Sequence, residues 1–279
     1  AWGSEDRPSS VPLVQGTPQS ALDDVVVIPY NDVQRAIAIL DDHADALACV
    51  LLDLMPHRVG LKPADREFVR AIREWTQRNG SLMVLDEVIT FRSEYGGLQS
   101  RYDITPDLTA LGKLIGGGFP VGAVAGRTEV MDVLNPRAAE LRFPHSGTFS
   151  ANPISMTAGL VAMELFDRSA VDRLNGLADR AMKGIESAIR ETGASACVTG
   201  GGSMFRVHMK ATPPRNYREA FVSGEEKQLL GILLEHVFEA GFVMINTCSA
   251  ALSTPMTETE VDALVLALAE GLTKISPPG

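Results

Sequence analysis

Residues 82–88 read LMVLDEV: four apolar side chains, Leu82 to Leu85, lead directly into Asp86 and Glu87. A short aliphatic run that stops at charged residues has the length and composition of a buried strand. Upstream, VVVIP at Val25 to Pro29 and ALACVLLDL at Ala46 to Leu54 read the same way, as strands buried on both faces, and Asn31 to Leu40 between them reads as a helix. From Pro63 to Asn79, the residues Phe68, Val69, Ile72 and Trp75 recur at helical spacing on one face, and Gly80 supplies the stop. Strands alternating with helices need crossover connections. These give an α/β architecture with a mainly parallel sheet flanked by helices. Ligands in such sheets bind at the carboxyl ends of the strands, which is where Asp86 and Glu87 fall.

The pattern changes beyond Asn152. Pro153 to Phe166 and Ala170 to Glu191 read as successive helices, the first with Asn152 as its cap and Pro153 at its first position. SMFRVHM at Ser203 to Met209 reads as a strand, Glu225 to Ala240 as a helix and Phe242 to Ile245 as a short strand. A last helix begins at the capping box Thr257/Glu260 and places Val261, Leu264, Val265 and Leu268 on one side. The expected division is a larger unit over residues 1–166 and a smaller C-terminal α+β unit over 167–279. The segment through Gln19 reads as loop, and the polar start without methionine reads as the interior of a longer polypeptide, with an N-terminal portion of the larger unit missing.

A formal charge of −10 argues against nucleic acid or an anionic membrane as the main partner, and no apolar run reaches the length that spans a bilayer. Cys49, Cys197 and Cys248 are far apart, without metal-type spacing, and fit a reducing cytoplasm. No metal site is expected.

Three local patterns carry chemistry. A carboxylate at the strand end, Asp86 or Glu87, can hold a metal, pair with a cation or stay charged against a protonated ring nitrogen; a solvated strand end is the plainer explanation. Lys113 follows Gly112 and precedes Gly116, Gly117 and Gly118. Such turns allow close approach to a ligand, and a lysine held there in apolar surroundings loses its proton more easily, as a Schiff-base-forming amine requires. The plainer explanation is an exposed lysine in a flexible loop. Ser146, Gly147 and Thr148 come shortly before a helix start, a setting that suits a phosphate but is common. Ser155, Ala158 and Gly159 would let that helix pack close to another backbone.

In this order and spacing, LDEVITFR (85–92), TALGKLIGGGFPVGAVAGR (109–127) and SGTFSANPISMTAG (146–159) resemble the class III pyridoxal phosphate-dependent aminotransferases, most closely the glutamate-1-semialdehyde 2,1-aminomutase-like branch. STPMTETEVDALV (253–265) is similar to the same branch, so the resemblance runs from about Val25 onward. It implies the type I pyridoxal phosphate fold and a large cofactor-binding domain within residues 1–166. Lys113 would form the Schiff base with pyridoxal 5'-phosphate and then act as general acid and base. Asp86 would keep the pyridine nitrogen protonated, Val88 would pack on a ring face, and Thr148 would bind the phosphate of the neighbouring subunit's cofactor, which implies a homodimer.

The phosphate loop and ring-stacking aromatic that lie upstream in the family do not occur here. LLDLMPHRVG (51–60) replaces an acidic-proline and glycine-asparagine pattern, leaving Asp53, His57 and Arg58 without an inherited role. ITFR is shorter than the MTGFR of aminomutases, which favours a general transfer of an amino group between an amine or amino acid and a carbonyl acceptor over a 2,1-amino shift or racemisation. Arg92 and Arg142 could each recognise a substrate carboxylate or form an exposed salt bridge. Readings of another class are a nucleotide-hydrolysing domain, which lacks its GxxxxGK[ST] loop, and a non-catalytic partner subunit, against which the joint presence of Lys113, Asp86 and Thr148 argues.

Overall fold

The computed structural model describes residues 2–276. Near the start, a short pairing of Trp2–Gly3 with Pro8–Ser9 precedes the first main helix, α1 (Val33–Asp42). Strand β1 (Cys49–Leu52), helix α2 (Arg66–Asn79) and strands β2 (Leu82–Asp86), β3 (Leu108–Gly112) and β4 (Gly122–Gly126) then build a four-stranded sheet in sequence order. β1, β2 and β3 run parallel and β4 antiparallel, so the expected mainly parallel sheet with flanking helices is what forms. Helix α2 buries Phe68, Val69, Ile72 and Trp75 on one sheet face, and Gly80 ends it in the left-handed conformation.

Its start is later than Pro63, because the carbonyls ahead of it are taken. Tyr30 donates to Lys62 O at 3.0 Å and Tyr102 to Ala64 O at 2.8 Å, and Asp65, just ahead of the helix, is extended. β1 and β2 alternate between covered and open residues instead of being buried on both faces; Leu51 is 64% exposed. The run at Val25–Pro29 forms no strand. It finds no ladder partner among the described residues, and its aliphatic character is used by packing Ile28 against the core under α1 and α2.

Helix α3 (Pro153–Leu165) starts as expected, with Asn152 accepting from the amides of Ile154 and Ser155. The following part comprises α4 (Arg168–Thr192), β5 (Cys197–Gly201), β6 (Met204–His208), α5 (Gly224–Glu239), β7 (Ser249–Ala251) and α6 (Glu258–Ile275). An antiparallel sheet β5-β6-β7 and three helices enclose a second core around Leu174, Ile185, Phe205, Leu233 and Leu268. Phe242–Ile245 is not its strand. Phe242 N closes the end of α5 on Val237 O and Cys248 N turns back on Ile245 O, so the chain reaches the sheet only at Ser249. Both α5 and α6 carry complete capping boxes, Ser223/Glu226 and Thr257/Glu260.

Asp107 ties the first sheet together at the end opposite Asp86. Its carboxylate accepts from Arg73 of α2 at 2.6 Å, Met83 N of β2 at 2.8 Å and Arg127, just after β4, at 2.9 Å. Burial works to raise this carboxyl, but the bonds from Arg73, Met83 and Arg127 outweigh it and hold it below the usual range. Removing one partner of a buried ion pair strands the other. Asp107→Asn is therefore expected to cost about 3 kcal/mol of stability in denaturant unfolding; a change under about 0.5 kcal/mol would place this carboxylate outside the framework.

Candidate active site

Asp86 and Glu87 have opposite fates. Successive strand residues face opposite sides, and Glu87 turns inward, fully buried, to accept from Leu98 N at 2.7 Å and Gln99 N at 2.9 Å. A Cβ at Gly97 would come 2.6 Å from Glu87 Oε2, so the closeness of this backbone to the carboxylate is part of the sequence pattern. Burial raises the Glu87 carboxyl, with the two amides opposing. Glu87 is thus consumed in holding the loop that follows the strand. Asp86 stays half-buried at the sheet mouth, accepts only from Val88 N at 3.0 Å, and is in no ion pair among the described residues.

A second carboxylate stands next to it. Leu52 pairs with Leu85 in parallel register, so the next residues, Asp53 and Asp86, emerge side by side on one face. Asp53 accepts from Met55 N at 2.8 Å. Burial pushes its carboxyl up to about 7, with Met55 N and Lys113 opposing and Asp86 and Glu87 adding to the rise. The sequence reading left Asp53 unassigned; the signal that finds it is strand register, which a single strand does not display.

Lys113 follows β3, whose Ala110 is the ladder partner of Asp86. It opens a one-turn 3-10 segment, Lys113–Gly116, with φ +48°, and it is exposed, contrary to the apolar surroundings expected. Its amine makes no hydrogen bond or ion pair among the described residues, yet it acts electrostatically on both Asp53 and His57. Val88 borders the same space, since a Cβ at Gly112 would lie 3.3 Å from Val88 Cγ1. Thr148 stands on an exposed loop ahead of α3 and makes no side-chain hydrogen bond within the described chain, so the structure does not bind it to the group formed by Asp86, Val88 and Lys113.

Arg92 serves neither of the roles weighed for it. Its guanidinium donates to Ser203 Oγ at 2.8 Å and to Leu252 O, joining the loop behind Asp86 to the second sheet, and burial lowers its pKa. Arg142 is exposed. His57 bonds Thr247 through its ring at 3.3 Å and offers its carbonyl to Arg206 at 3.1 Å; burial, then Arg206, Arg58 and Lys113, lower its pKa. The same junction includes buried His208, whose Nε2 lies 2.8 Å from Thr199 Oγ1 and 3.2 Å from Gly60 O. Burial and nearby Arg206 bring its pKa down to about 4, the Gly60 carbonyl resisting.

A mainly parallel sheet whose mouth presents an amine and a carboxylate, Lys113 and Asp86, neither in an ion pair among the described residues, fits a cofactor that bonds lysine and carries a basic ring nitrogen. The class-III aminotransferase family model matches residues 8–256. The chain belongs to this family. Among solved structures, the chain is similar to an omega-transaminase from Sphaerobacter thermophilus, with 44% identity over 95% of this chain and 61% of that one, at a TM-score of 0.93. A β-phenylalanine aminotransferase from Variovorax paradoxus matches at 31% identity over 88% of this chain and 56% of that one, with a TM-score of 0.82. A glutamate-1-semialdehyde-aminomutase from Pseudomonas aeruginosa PAO1, at 22% identity over 89% and 56% with a TM-score of 0.79, shares the fold. The chain spans about six-tenths of the length of the first of these structures.

The two perturbed groups have opposite effects on stability. Asp53, raised from 3.8 to about 7, contributes stability below about pH 4 that is lost as the pH rises through 7. His208, lowered from 6.5 to about 4, contributes stability above pH 6.5 that is lost as the pH falls through 4. In unfolding measurements between pH 4 and 7, Asp53→Asn should steepen the rise of stability with pH and His208→Gln should flatten it; unchanged slopes would refute the assignment.

Proposed function

We propose that this chain provides the cofactor-bonding part of a pyridoxal phosphate-dependent aminotransferase, moving an amino group between an amine or amino acid and a carbonyl acceptor. The observation that carries the reading is the placement at the mouth of one sheet of the Lys113 amine and the Asp86 carboxylate, neither in an ion pair among the described residues. Pyridoxal phosphate, when bound, supplies the electron sink that stabilises negative charge on a substrate carbon. Lys113 Nζ would hold the cofactor through a Schiff base and would move the proton at the substrate carbon as general acid and base. Asp86 would keep the cofactor's ring nitrogen protonated, and Val88, next to Gly112, would pack against the ring. Glu87 keeps Asp86 aimed outward by anchoring the backbone on either side of the turn.

Thr148 serves the phosphate of a second copy's cofactor in this reading. Its loop leads into α3, which exposes Ile154, Leu160 and Leu165 by 62%, 61% and 71%, an apolar face that a homodimer contact would cover. Residues 1–166 form part of the large domain and 167–279 the small one. No described helix is long and apolar enough to cross a membrane, and the free, mostly buried cysteines suit a cytoplasmic enzyme. The omega-transaminase and β-phenylalanine aminotransferase likenesses make a β-amino acid and a simple amine the first donors to test.

Borohydride reduction of the protein with pyridoxal phosphate should place the label on the Lys113 peptide, and Lys113→Ala should abolish it. With the label found, Asp86→Asn should lower amino transfer about 100-fold. Appearance of an isomer of the donor without consumption of the carbonyl acceptor would reassign the reaction to a 2,1-amino shift or racemisation. Absence of label from folded protein in the dimeric state would sink the reading.

A further inference from the structure

Lys113 is exposed and makes no hydrogen bond or ion pair among the described residues, so its amine is placed by its backbone alone. That backbone is in the left-handed region, φ +48°, where a non-glycine residue persists only if its surroundings hold it. On one side the hold is the β3–β4 ladder, which pairs Gly112 with Gly122. On the other it is α3, through a close approach of two backbones.

A Cβ at Gly159 of α3 would overlap the carbonyl oxygen of Ile115 and lie 3.2 Å from its carbonyl carbon. Reciprocally, a Cβ at Gly117, itself left-handed at φ +58°, would lie 2.6 Å from the carbonyl carbon of Ala158. Ser155, buried on the same helix, donates to Pro120 O at 2.9 Å. The turn from Lys113 to Pro120 is therefore clasped at three points by one helix face, two of them open only to glycine. Leu114, next to Lys113, packs against the second core.

We propose that Gly159, supported by Ser155, is a positioning residue for Lys113: by letting α3 lie directly on the Lys113–Pro120 turn, it fixes where the amine stands. This rests on the reading of Lys113 as the cofactor-bonding residue. A methyl group at position 159 must push turn and helix apart by roughly 1 Å to reach ordinary contact, and displacement of a reacting group by that much lowers rates about 100-fold.

The test uses the whole protein with pyridoxal phosphate, and begins with borohydride labelling of the wild type at Lys113. No label there refutes the function, not the clasp. With the label present, Gly159→Ala should retain helical circular dichroism while bonding of Lys113 to the cofactor, followed by absorbance, slows about 100-fold. The pH midpoint of the bonded cofactor's visible band should shift, and kcat for amino transfer should fall more than KM changes. Ser155→Ala, which removes only the bond to Pro120 O, should shift the same midpoint in the same direction by less. A lower melting temperature with an unchanged band midpoint and bonding rate would overturn the proposal. If Gly159→Ala fails to fold, Ser155→Ala decides alone: a shifted midpoint supports it and an unchanged one overturns it.

Discussion

The Asp107 carboxylate is the constraint on which the first sheet depends. It touches α2, β2 and the residue after β4 together, and it belongs to the residue just before β3. Because side-chain direction alternates along a strand, a slip of one residue would turn Asp86 inward and Glu87 outward. The three bonds to Asp107 fix the alignment at the far end of the sheet, and the chemistry at the mouth follows from it. A buried carboxylate without these cations would be too costly to keep charged, so Arg73 and Arg127 are as much part of the register as the strands are.

Three acids converge where the strands end, and their environments separate their tasks. Glu87 is surrounded by backbone amides and holds a loop. Asp53 lies beside Asp86 in register, and burial next to two other carboxylates favours its protonated form up to about pH 7. Asp86 is the one left open to a cation. Like charges add to the cost of ionising a buried carboxyl, which is why the neighbours of Asp53 push it in the same direction as burial does. Lys113, just after the next strand, places an amine that opposes the rise at Asp53.

The second sheet is fastened to the first through the segments around the mouth, not away from it. Arg92 reaches Ser203 and Leu252, Asn175 donates to Ser93 O at 3.0 Å, and His208 with Thr199 meets the Gly60 carbonyl. Movement between the two cores would be felt first by the loops that follow β1 and β2.

The sequence by itself determined the periodic parts: the α2 face from Phe68 to Trp75, the Asn152 and Thr257 caps, the strand leading into Asp86, and the motif order that marks the family. Each depends on residues close in the chain, so local pattern suffices. It misjudged Val25–Pro29 and Phe242–Ile245, whose composition suits a strand but which find no ladder partner; a strand exists only where another chain segment accepts its hydrogen bonds. It also overstated the burial of β1 and could not place Arg92, whose bonding partners are more than a hundred residues away. Tertiary structure alone decided which of Asp86 and Glu87 faces the mouth, that Asp53 stands beside the former, and that Gly159 and Gly117 meet. The first depends on Leu98 and Gln99, whose amides take Glu87, and the other two on pairs brought together by register and packing; in each case the partner lies in another segment.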